Sequence, residues 1–146
     1  MKRKYLPELS ELIDRLGITY LKCIKLGCKN PEKKKAYVQE LKLIKHDINL
    51  IVRKNIKNIK DWGQFIGAIQ IGLLANETIW SNESEARKEG YNDGHKLLFT
   101  HSVNGMRMRA GNVIASQIGG KKDLNLDRVN DKISEERGYD WNGLFD

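Results

Sequence analysis

Asn76, Glu83 and Arg87 are the residues in this chain best placed to do chemistry, because they continue a face that begins as hydrophobic core. Trp62, Phe65, Ile66, Ile69, Leu73, Asn76, Trp80, Glu83 and Arg87 follow one another at short, helix-compatible intervals. At about 100° per residue they share one side of a helix. An amide, a carboxylate and a guanidinium therefore point toward the interior, where an unpaired charge is costly. A second polar stretch, His101, Asn104 and Asn112, shares a face with Leu97, Leu98, Met108, Ala115 and Ile118, and Arg107 and Arg109 lie close by. Such groups fit a satisfied network that fixes helix register, a ligand pocket, or a metal or catalytic centre.

Each option makes its own demand on the residues. As a pocket, Arg87 with Arg107 or Arg109 would pair with phosphate, since guanidinium forks match oxyanions. Asn76, Asn104 and His101 would orient polar edges, Trp80 would stack on a base, and Glu83 would pair with Arg87 four residues on. A hydrolytic magnesium centre needs convergent carboxylates. Glu8-Leu-Ser-Glu11 supplies the E-x-x-E half of the pattern found in all-α nucleotide pyrophosphohydrolases. The E-x-x-D half is missing, because Glu77, Glu83 and Glu85 have no Asp three residues on. Asp14, Arg15 and Glu11 read as solvated charge. Ser102 cannot face His101 on a helix, and Gly119-Gly120-Lys121-Lys122 is not a phosphate loop. Cys23 and Cys28 have no second pair at zinc spacing. No catalytic residue, metal ligand or cofactor is assigned.

These groups need helices to hold them. Pro7 precedes Leu9, Leu12, Ile13, Leu16, Tyr20, Cys23 and Ile24 at helical spacing. Asn30-Pro31 caps and opens a second helix carrying Tyr37, Leu41, Ile44, Ile48, Ile51 and Val52. Asp61 caps a third, which runs to about Glu89. A turn at Gly90, Asn92, Asp93 and Gly94 leads to a fourth, from about His95 to Ile118. Leu126, Val129 and Ile133 suggest a short fifth, and the Trp141 to Phe145 tail is apolar enough to dock on this subunit or a neighbour. The expected fold is all-α: one domain, 1–146, with about four long helices, a short C-terminal helix and a docking tail.

The chain has 146 residues and a net charge of +7, from 26 Lys and Arg against 19 Asp and Glu. That balance favours an anionic partner. No aromatic-studded strand, zinc finger or helix-turn-helix pattern accompanies it, so nucleic acid is not the expected partner. No signal peptide or membrane span is evident, and a reducing, cytoplasmic setting follows.

The stretch Asn76-Glu-Thr-Ile-Trp80-Ser-Asn-Glu83-Ser-Glu85-Ala-Arg87 resembles a helical family of bacteria and phages with an N-x-x-[LI]-W-x-x-E-D-x-x-R signature and no assigned activity. Glu8 to Leu16 and Asn104-Gly-Met-Arg107 resemble two further blocks of that family. Ser84 departs from its usual Asp. The resemblance implies an all-helical domain and supplies no chemistry. In size, class and charge the chain is also similar to phage nucleotide sponges, an analogy of fold and not of site. The expected function is thus non-catalytic binding of a small anionic, nucleotide-like ligand by a helical homo-oligomer. A magnesium-dependent hydrolase using Glu8, Glu11 and Glu83, and a partner-binding protein using the C-terminal tail, are the alternatives.

Overall fold

Asn30 and Asp61 set two of the helix starts. The Asn30 side-chain oxygen accepts from the backbone N–H groups of Glu32 and Lys33 at 3.1 and 3.2 Å, with Pro31 in the first turn. The Asp61 carboxylate accepts from the Gln64 N–H at 2.9 Å. Each such cap stabilises its helix by about 1 kcal/mol.

The structure is a computed structural model that describes residues 7–88, 94–118 and 143–146. It contains α1 (Leu9–Lys25), a 3-10 turn (Gly27–Lys29), α2 (Pro31–Asn55), a second 3-10 turn (Ile56–Asn58), α3 (Trp62–Lys88) and α4 (Gly94–Ile118). Among the described residues there is no strand, and the fold is all-α. No helix among them is long and apolar enough to cross a membrane. The expected fifth helix and Trp141 lie outside the described residues.

α3 and α4 form an antiparallel hairpin and share the most extensive contact among the described elements. Its register is visible where Gln117 Nε2 donates to Gln64 Oε1 at 3.0 Å and where a Cβ on Gly72 would meet that of Ala110 at 3.8 Å. Small residues line much of the seam: Ala68, Ala75 and Ala110 are all buried, and Ala75 is 0% exposed. Small side chains let the two backbones approach closely.

This seam corrects the expected core face of α3. Trp62, Ile66 and Leu73 are 46%, 49% and 43% exposed, while Phe65, Ala68 and Ala75 are buried. Trp62, Ile66 and Leu73 sit beside the seam, whose close approach at Gly72 and Ala110 is flanked by the buried Phe65 and Ile114.

α1 lies between α2 and the hairpin. One side meets α2, where Thr19, 1% exposed, donates to Glu40 at 3.3 Å. The other side meets α3, and at Gly17 the approach is close enough that a Cβ would lie 3.3 Å from Leu73 Cδ1. The main cluster of buried residues gathers Leu9, Ile59, Phe65, Ala68, Ala110 and Ile114, with Ile48, Ile51 and Val52 of α2 against it. Phe145 packs on the same cluster, and its carbonyl accepts from Gln64 Nε2 at 3.0 Å. The last residues thus dock on their own subunit.

Candidate functional site

The interior polar residues meet at Asp14, in the middle of α1. Its Oδ1 accepts from Asn76 Nδ2 of α3 at 2.8 Å and from Arg107 Nε of α4 at 3.1 Å. Its Oδ2 accepts from Arg107 Nη2 at 3.1 Å. Arg107 therefore grips the carboxylate with two parallel hydrogen bonds, the stronger arrangement for this pair. Its Nη1 also donates to Asn104 Oδ1 at 3.4 Å. Three helices are pinned at one carboxylate, which fixes their register.

The sequence pattern places Asp14 with the solvated charge; the structure corrects this, since Asp14 is half-buried at the junction of three helices. Asp14, Gly17 and Leu21 form a second face of α1, opposite Leu12 and Thr19. A helix packed on two sides buries two faces, and a single apolar stripe reveals only one of them. The signal present in the sequence was Gly17, whose missing Cβ permits the close approach of Leu73.

Of the residues expected to face inward, Asn76 does so, at 6% exposed. Asn104, Arg107, Arg109 and Asn112 are half-buried on α4, and Trp80 is half-buried on α3. Glu83, Arg87 and His101 are exposed, so their expected inward placement is corrected. The reason is length. The contacts of α1 with α3 run from Leu9, beside Phe65, to Lys25, whose ammonium meets Glu77 Oε1 at 3.0 Å. Glu83 and Arg87 lie about 9 and 15 Å farther along α3, at 1.5 Å per residue, past the end of the helix that would cover them.

The buried polar atoms without a hydrogen-bond partner among the described residues are two others, Glu77 Oε2 and Asn82 Nδ2. Among the described residues no three His, Cys, Asp or Glu side chains are grouped to hold a metal. Glu8 and Glu11 stand at the start of α1, level with Phe65, whereas Glu83 stands near the end of α3. The carboxylates of the hydrolase alternative are not brought together.

A groove of about 810 Å³ opens between α1, α3 and α4. Apolar groups line most of it, including Ile13, Leu16, Ile69, Leu73, Met108 and Ile114. Asp14, Asn76 and Arg107 form its polar patch, Asn112 joins the lining, and Glu8, Glu11, Arg15 and Tyr20 also border it. Gly17, Gly72 and Gly111 are also among the lining residues. Trp80, Glu83, Arg87, His101 and Arg109 do not line it. No protein-family model, curated protein or solved structure matches the chain. What the groove does must be read from its own geometry.

Proposed function

We infer that the protein is a non-catalytic binding domain that takes a small, nucleotide-like molecule in the groove between α1, α3 and α4. The observation that carries this reading is the combination of an apolar trough with one fixed polar patch, the usual form of a small-molecule site. The volume lies within the range of such sites, roughly 300–1,000 Å³. The Asp14–Arg107 pair holds the guanidinium plane rigid, and its remaining N–H groups offer hydrogen bonds to a polar edge.

The charge around the groove refines the ligand. Glu8, Glu11 and Asp14 stand against Arg15 and Arg107, and Asp14 already neutralises Arg107. The base and sugar are therefore the parts the groove favours, with at most a lightly charged phosphate near Arg15. Nucleosides, monophosphates and cyclic nucleotides should bind better than triphosphates.

Gly111 provides the test. A Cβ there would meet nothing within 4 Å, so the side chain of Gly111→Leu starts into open space beside the groove. Removing a helical glycine should also stabilise the fold by about 0.5–1 kcal/mol. A nucleoside present at about 100 times its Kd should raise the Tm of the native protein by roughly 5–10 °C. Gly111→Leu should keep its helicity and lose that rise. The reading fails if no member of a panel of nucleosides and nucleotides shifts the Tm, or if Gly111→Leu responds like the native protein.

Association into a homo-oligomer belongs to the same reading and is supported by Ile24, Leu43 and Leu74, which are 67%, 58% and 63% exposed. Light scattering should then give a mass that is a multiple of the 16.8 kDa chain.

A further inference from the structure

α2 rests on α1 and the main cluster through Leu41, Ile44, Ile48, Ile51 and Val52, and most of its remaining circumference is exposed. That buried face fixes the orientation of its charges. At 100° per residue, Lys34, Lys35, Lys42, Lys45 and Arg53 fall within an arc of about 100° that starts at the edge of the packed face, beside Leu41 and Val52, and turns away from it into solvent. All five are exposed. The three acidic residues of the helix, Glu32, Glu40 and Asp47, fall together on the opposite flank. Glu40 there accepts from Thr19 of α1. The basic stripe runs about 28 Å from Lys34 to Arg53 at 1.5 Å per residue.

We propose that this stripe of α2 docks on the phosphate backbone of double-stranded nucleic acid without reading its sequence. A row of cations on a straight helix, cleared of carboxylates, is complementary to a line of phosphates, and its length matches about eight base pairs. Phosphate contacts of this kind position a protein and carry no sequence information. A single strand would need aromatic side chains for its bases to stack on, and none lies in the arc, since Tyr37 is half-buried on the α1 side. An anionic membrane would need an apolar face to insert. The apolar face of α2 is already packed on α1, the exposed Leu43 and Leu50 share the flank of Glu32 and Asp47, and Val38 alone among the exposed large apolar residues of α2 lies within the arc, too little to insert. The +7 balance shows only a sum, whereas the exposure pattern of α2 shows where the cations stand.

The test uses the full chain and a fluorescent 20-base-pair duplex of arbitrary sequence, followed by anisotropy. With four or five phosphates engaged, affinity should fall by roughly 10²-fold or more between 50 and 200 mM salt. The variant K35E/K42E/K45E/R53E should lose at least about 100-fold at low salt and show a flatter salt slope. The control K29E/K54E/K57E/K60E changes charge by the same amount at exposed positions off the stripe, and should stay within about tenfold of the native protein. Circular dichroism checks the helices, and K42E/K45E alone serves if the fourfold variant does not fold. Equal losses in both variants would mean that net charge alone attracts the duplex, and the proposal would be overturned. So would absent duplex binding, or tighter binding to vesicles containing phosphatidylglycerol than to the duplex.

Discussion

Replacing Asp14 with alanine is expected to lower the stability of the protein by about 2–3 kcal/mol, since hydrogen bonds to charged groups are worth about 1.5–3 kcal/mol each and water replaces part of that here. The carboxylate receives three hydrogen bonds from two other helices. Its removal leaves the Asn76 amide, 6% exposed, without its acceptor, and leaves the Arg107 charge uncompensated. The effect stays below that of a fully buried pair because the Arg107 and Asp14 side chains are 34% and 28% exposed. In a chain of this size the Tm should drop by roughly 5–10 °C. Arg107→Lys should recover only part of the native stability, because an ammonium cannot make the paired contact. A double-mutant cycle with Asp14→Ala and Arg107→Ala should give a coupling of about 1 kcal/mol or more. An Asp14→Ala protein as stable as the native one would show that the three-helix junction contributes nothing.

Ala75→Leu should have a comparable effect. Ala75 has no exposed surface and lies one turn from Gly72 on the same face of α3. Adding three carbons there must either push the helices apart or force strained rotamers, at a cost of about 1–3 kcal/mol and more where the backbone cannot shift. The constraint is strong because Gly72 and Ala110 hold the next turn of the same seam at close range. Separation would also widen the groove, since both helices line it. Urea denaturation measures the loss. A change under about 0.5 kcal/mol would mean that the seam is looser than its burial implies.

The parts of the fold legible in the sequence were those governed by local chemistry. Asn30-Pro31 and Asp61 mark helix starts because side-chain oxygens satisfy backbone N–H groups only a few residues away. Leu41, Ile44 and Ile48 mark the buried side of α2 because that helix presents one face to its neighbours. The illegible parts depended on partners distant in the sequence. On α3 the large residues Trp62, Ile66 and Leu73 drew the apparent core face away from the Ala and Gly seam, since apolar size is visible in a sequence and backbone proximity is not. Glu83, Arg87 and His101 continue an interior stripe in register, yet no rule of periodicity states where a covering helix stops. Asn76 and Arg107 were recognisable as interior polar groups, but their common partner was not, because Asp14 sits on the second contact face of a helix that seemed to have one.

α1 is the shortest of the four helices and the most enclosed. Of its 17 residues only Glu11, Arg15, Tyr20 and Ile24 are exposed, and the first three of these border the groove. Mutational drift along this helix is therefore confined to a few positions, Glu11 and Arg15 on one side and Tyr20 and Ile24 on the other. The positions that can change without disturbing the packing are the ones an occupant would touch first, so the selectivity of the groove can diverge between lineages while the scaffold behind it stays the same.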